Sequence, residues 1–290
     1  MKFYMWADRD SDKLDQTKDT AGSYGITPEL TGTWYKIRLG GSNLFKIFSL
    51  YESISELKDD EIVCCTDGFD VLYQDNEKSI KEKFLSFNCD ILYSAEKDYS
   101  HQYGEYKDYF DHMAGSSPYR YLNSGCVIGY AKPMRKMLKT IISSKELTRN
   151  EDGTITAVKP KRDIFDEVIA IVYPIMRKSA RITIIVRKIL TPWFSKNRKI
   201  VGILSDQSLI GRYIATKPDK INIKLDYECR LFWTCAPLEL ERIDKHYEMS
   251  DNSIMNKNTG NVPSFIHVTW ATRYKHILRK FYKLIMNKAK

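Results

Sequence analysis

The chain has 290 residues, 43% hydrophobic and 12% aromatic, and its 46 Lys and Arg outnumber 37 Asp and Glu for a formal net charge of +9. This composition is globular, supports a full core, and excludes a disordered or low-complexity chain. No window holds the ~18 uninterrupted apolar residues of a spanning helix, and the opening MKFYMWADRDSDK turns acidic too early for a secretory leader.

In chain order, Phe3–Ala7 reads as a short strand, followed by a polar, flexible stretch to about residue 23. Trp34–Leu39 is expected as a strand ending at Gly40-Gly41, and a helix follows from Ser42 to Leu57 with Leu44, Ile47, Phe48 and Tyr51 on one side. The apolar run Ile62-Val63-Cys64-Cys65 predicts a strand over 61–66. A helix around 77–87 and a strand at 89–95 come next. YLNSGCVIGYA at 121–131 is a further strand, with a helix over 133–144. Residues 146–202 break the rhythm as an insertion, helical in places and interrupted by Pro174 and Pro192. A helix from Ser205, a strand-rich stretch over 221–233 and a strand at 263–267 complete the domain. Strands alternating with helices imply an α/β fold with a largely parallel, buried sheet and a site at the strands' carboxyl ends.

The positive charge is concentrated. Residues 177–199 hold eight Lys or Arg and residues 273–290 hold seven, with no acid in either segment; the rest has 31 basic residues against 37 acidic ones. In the tail, Tyr274, Ile277, Leu278, Phe281, Leu284 and Ile285 share one helical face. This pattern suits an anionic membrane surface better than a nucleic-acid groove, so no nucleic acid is expected; a helix docked on its own domain is the other reading. The six cysteines lack CxxC spacing and sit in apolar segments, as expected of reduced core residues in a cytoplasmic protein.

The chemistry centres on Asp67-Gly-Phe-Asp70. Two carboxylates three apart at a strand end suit a hard divalent cation whose other ligands come from a substrate diphosphate; a solvated acidic turn gives the same spacing. Further along lie YSAE at 93–96, LNSGCVIGYA at 122–131, SDQSL at 205–209, LDYECRLF at 225–232 and PSFIH at 263–267. With TDGFDV at 66–71, they follow the order and nearly the spacing of one family. From about residue 36 to 273, the insertion apart, the chain resembles the glycosyltransferase domain of procollagen-lysine hydroxylases and its viral and bacterial stand-alone relatives.

The resemblance implies a GT-A fold over residues 1–272, a UDP-sugar donor and a divalent ion, Mn2+ or Mg2+. By position it implies Asp67, Asp70 and His267 as metal ligands. Lys46 and Arg273 would face the nucleotide or diphosphate, Phe69 would pack on the base, and Trp6, Ala7 and Asp8 would line the base pocket. Asn123 and Ser124 would bond sugar hydroxyls, with Gly125 permitting close ligand approach and Asp206 as the catalytic or sugar-orienting acid. The family's acid-rich run is reduced here to Ser205-Asp206, for which Glu96 is a candidate substitute, and its H-G-N-G becomes His267-Val-Thr-Trp270. The expected activity is sugar transfer to a hydroxyl of a glycan or glycolipid at a membrane surface, met through 177–199 and 273–290. The alternatives are hydroxylysine of a collagen-like chain as acceptor, or a non-catalytic peripheral membrane protein with a vestigial nucleotide-sugar pocket.

Overall fold

The computed structural model describes residues 1–8, 10–32, 44–99, 104–144, 147–149, 155–157, 205–216, 220–251, 253–269 and 273–288. The expected strand at 34–39, Gly40-Gly41, most of the 146–202 insertion, the basic segment 177–199 and Trp270 lie outside these residues.

The elements, in order, are β1 (Lys2–Trp6), α1 (Asp12–Ser23), β2 (Glu29–Thr31), α2 (Leu44–Ser53), β3 (Ile62–Asp67) and β4 (Val71–Tyr73). Then come α3 (Glu77–Ser86), β5 (Ile91–Glu96), α4 (Lys107–Ala114), β6 (Tyr121–Tyr130) and α5 (Ala131–Ile142). β7 (Leu147–Arg149) and β8 (Ile155–Ala157) pair as an antiparallel ribbon at the start of the insertion. The remainder comprises α6 (Asp206–Thr216), β9 (Ile223–Asp226), β10 (Phe232–Cys235) and the single turn α7 (Pro237–Leu240), then β11 (Tyr247–Ser250), β12 (Ser253–Asn256), β13 (Phe265–Val268) and α8 (Lys275–Lys288).

The central sheet has six strands in the order β2-β1-β3-β6-β5-β9. β6 runs antiparallel to both neighbours and the other pairings are parallel, so the sheet is mostly parallel, as expected. Its inner strands β3, β6 and β5 are buried almost throughout because both faces are covered. Tyr4, Val63, Cys65, Tyr93 and Val127 join one core with residues of α2, α5, α6 and α8. Phe3, Met5, Cys64, Leu92 and Cys126 face a second core with Leu14 of α1 and Ile80 and Phe84 of α3.

A second sheet, β10-β13-β4, positions the site. The chain leaves the central sheet at the end of β3, turns through residues 68–70, and enters this sheet as β4. β13 pairs antiparallel with β4, placing His267 opposite Val71, and the backbone N–H of Val268 donates to the Asp70 carbonyl at 2.8 Å. The ladder is pinned by Gln74, whose amide bonds the carbonyls of Ile254 and Pro263 and the N–H of Ile254. LDYECRLF has a structural explanation: the buried Asp226 carboxylate accepts from the N–H groups of Arg230, Leu231 and Phe232, turning the chain from β9 into β10.

Two readings are corrected. The polar stretch before residue 23 contains α1, capped by Ser11, with Leu14, Thr17, Thr20 and Ala21 as its buried face. Two threonines on that face hide its period; their hydroxyls bond back to the carbonyls of Lys13 and Thr17. In the turn between the two acids, Gly68 permits close packing, since a side chain there would meet the Trp6 carbonyl at 2.7 Å. Finally, the tail's apolar face is not available to lipid. Tyr274, Ile277, Leu278, Phe281 and Ile285 are buried in the protein's own core, with Phe281 edge-on to Tyr247, while Lys275, Arg279 and Lys283 face outward.

Candidate active site

Asp67 closes β3, Asp70 ends the turn, and His267 stands on β13 across from Val71. One ligand atom from each lies within 4.8 Å of the others. His267 Nε2 is 3.4 Å from Asp70 Oδ1 and 3.9 Å from Asp67 Oδ2. The other Asp67 oxygen, Oδ1, takes the ammonium of Lys46 at 2.5 Å, and the same ammonium is 3.6 Å from Asp206 Oδ2. Lys46 comes from α2 and Asp206 from the first turn of α6, where Ser205 caps the helix by accepting from the Ser208 N–H.

Two carboxylates, Asp67 and Asp206, thus flank one ammonium, Asp70 adds a third acid beside His267, and with a neutral imidazole the group is short of positive charge. Burial works to lower the Lys46 pKa, but Asp67 and Asp206 outweigh it and hold the ammonium above its usual range. Burial pushes the Asp67 carboxyl up, with Lys46 opposing and Asp70 adding to the rise. Burial would also lower His267, yet the charge and hydrogen bond of Asp70, with Asp67 behind them, raise it. The acids that raise Lys46 and His267 make this a site that favours positive charge, and the oxygen-and-nitrogen donor set fits a divalent ion of the manganese type.

LNSG forms a bulge. Opposite β5 the pairing jumps from Ser94–Asn123 to Tyr93–Val127, so Ser124, Gly125 and Cys126 have no partner on β5. Asn123 Oδ1 accepts from the Gly125 N–H at 2.8 Å and lies 3.1 Å from His267 Nδ1. A Cβ at Gly125 would sit 2.2 Å from His267 Cε1, so this glycine leaves room for the imidazole. The Ser124 N–H donates to Gln207 Oε1 at 3.2 Å, while Gln207 Nε2 donates to Glu96 Oε1 at 2.9 Å. Gln207, overlooked in the sequence beyond its place in SDQ, therefore ties α6 to both YSAE and LNSG.

The other candidates occupy varied positions. Trp6 and Ala7 are buried at the end of β1; the Trp6 indole N–H has no hydrogen-bond partner among the described residues, and Asp8 is half-buried beyond them. Phe69 is half-buried against the core containing Leu14 and Met5. Arg273 is exposed, 4.0 Å from Glu241 and over the Tyr274 ring, and it touches none of the described residues of the acid cluster.

The model of one protein family, the PLOD GT domain, matches residues 7–154, a span that includes Lys46, Asp67, Asp70, Glu96 and the LNSG bulge. The chain belongs to this family. It is a glycosyltransferase domain with the α/β, mostly parallel, helix-flanked architecture expected of the GT-A type. Asp206 and His267 lie beyond the matched span. No curated protein matches the chain by sequence. Among solved structures, it is similar to a glycosyltransferase involved in the glycosylation of the major capsid of PBCV-1, at 11% identity over 96% of this chain and 98% of that one, with a TM-score of 0.46. It is also similar to mouse xyloside xylosyltransferase 1, at 13% identity over 89% of this chain and 73% of that one, with a TM-score of 0.35. Both likenesses are distant.

Proposed function

We propose that this glycosyltransferase moves a sugar from a UDP-sugar to an acceptor hydroxyl with the help of a divalent cation held by Asp67, Asp70 and His267. The observation that carries the reading is the convergence of those three donor groups. Bound there, manganese or magnesium supplies Lewis-acid neutralisation of a diphosphate leaving group. The protein's own residues do the rest. Lys46 neutralises one oxygen of Asp67 and holds Asp206 on the same side, leaving the second Asp67 oxygen directed towards His267. Asp206 is the carboxylate assigned to orient the donor sugar, and Ser124 is fixed beside it through Gln207. The base pocket is assigned to Trp6, Ala7, Asp8 and Phe69, where the indole N–H offers a donor to a carbonyl or hydroxyl oxygen.

For the acceptor, membership of the PLOD GT domain family supports a hydroxyl on a protein, hydroxylysine of a collagen-like chain being the first candidate. A membrane-borne glycan or glycolipid rests on basic residues alone, because the apolar face of α8 is buried. No described helix is long and apolar enough to cross a membrane. A reducing, cytoplasmic setting draws support from six free, buried cysteines.

The test is UDP release from a panel of UDP-sugars with manganese, in the presence and absence of EDTA. The reading expects turnover of at least one donor, abolished by chelation. No turnover of any donor, with no metal-dependent UDP binding, overturns it.

A further inference from the structure

Asn123 lies where a sugar-binding amide is expected, but its oxygen is already committed. Oδ1 accepts the backbone N–H of Gly125 at 2.8 Å, which fixes the orientation of the amide: the atom facing that donor must be the oxygen. The same oxygen is 3.1 Å from His267 Nδ1. An oxygen of this kind can only accept, so His267 Nδ1 carries a proton, and Asp70, also an acceptor, takes a proton from Nε2 only when the ring is doubly protonated. In the neutral ring, the lone pair is then on Nε2, which faces Asp70 and Asp67. Ser94 Oγ anchors the Asn123 carbonyl at 3.0 Å, and on the Gly125 side the imidazole packs so closely that even a methyl group at residue 125 would collide with it.

We propose that Asn123 is a positioning residue that holds His267 in the Nδ1–H tautomer and so presents Nε2 as a ready-made metal ligand. This rests on the metal reading of the Asp67, Asp70 and His267 cluster and reassigns Asn123 from sugar contact to ligand orientation. Without the clamp, the imidazole can move its proton to Nε2 and donate to Asp70, which blocks the ligand position. Outer hydrogen bonds of this type change metal affinity by about 10–100-fold.

Two readouts on the full chain test the proposal. The first is the pair of imidazole 15N shifts of His267 in metal-free protein at alkaline pH. The second is the Mn2+ dissociation constant from the EPR signal of free Mn2+. The wild type is expected to carry its proton on Nδ1. Asn123→Ala should raise the Mn2+ dissociation constant by about 10–100-fold and shift the proton towards Nε2. Asn123→Asp keeps the accepting oxygen and should bind Mn2+ at least as well as the wild type. A wild-type proton on Nε2, an unchanged Mn2+ constant in Asn123→Ala, or equal losses in the alanine and aspartate variants overturns the proposal. If the wild type binds no Mn2+, the metal reading fails, while the nitrogen shifts still decide the tautomer by themselves.

Discussion

The backbone N–H of Val268 donates to the carbonyl of Asp70 over 2.8 Å, joining two residues almost two hundred positions apart. That bond closes the ladder between β4 and β13 and delivers His267 to the acid pair. The site is therefore only as well placed as the small sheet that carries it.

Gln74 is the first point at which this dependence can be measured. Its buried amide bonds three backbone groups of Ile254 and Pro263, so Gln74→Leu leaves all three without partners. A loss of about 3 kcal/mol in urea unfolding is expected. A variant within about 0.5 kcal/mol of wild type would show that Gln74 does not pin the ladder.

Two glycines should answer alanine in opposite ways. At Gly125, a methyl group would meet His267 Cε1 at 2.2 Å, so Gly125→Ala should displace the imidazole and remove Mn2+-dependent UDP binding. At Gly22, inside α1, nothing lies within 4 Å of the added carbon and φ is not positive. Gly22→Ala should raise stability by about 0.5–1 kcal/mol, seen as a higher melting temperature with unchanged UDP binding.

Lys46 is buried between Asp67 and Asp206, and Lys46→Met leaves both carboxylates without their ammonium. In metal-free protein this should cost about 3–5 kcal/mol. Added Mn2+ should raise the melting temperature of the variant, because a cation bound to the folded state stabilises it by mass action. A variant as stable as wild type without metal would contradict the pairing.

Asp75 gives a pH dependence away from the site. Burial acts to raise its pKa, but Ser79, Lys83 and Ser264 all bond the carboxylate and hold it below the usual 3.8. The folded state therefore favours the ionised form. Its contribution is complete above pH ~4 and is lost as pH falls through the depressed folded value. The stability difference between wild type and Asp75→Asn should be constant from pH 5 to 8 and shrink below about pH 4.

Much of this was legible in the residues, and the gaps have physical causes. β3, β5 and β6 were readable because a strand buried on both faces is apolar throughout. α8 was readable by its period, but amphipathicity does not say what covers the apolar face, and here Phe281 packs against Trp233 and Tyr247 instead of lipid. α1 was hidden because Thr17 and Thr20 supply half of its buried face. Asp67 and Asp70 could be proposed from spacing, whereas His267 became a candidate only through family resemblance, since local sequence does not encode β4–β13 pairing. Gly125 and Asn123 were visible as residues, but their service to the imidazole depends on contact with a strand over a hundred positions away.

The most direct test of the shared cation site is anomalous scattering from crystals soaked with Mn2+ and UDP. The account predicts one strong manganese peak bonded to Asp67, Asp70 and His267 Nε2, with the diphosphate completing its coordination. A peak elsewhere, or UDP bound with His267 still paired to Asp70 and no metal between them, would contradict it.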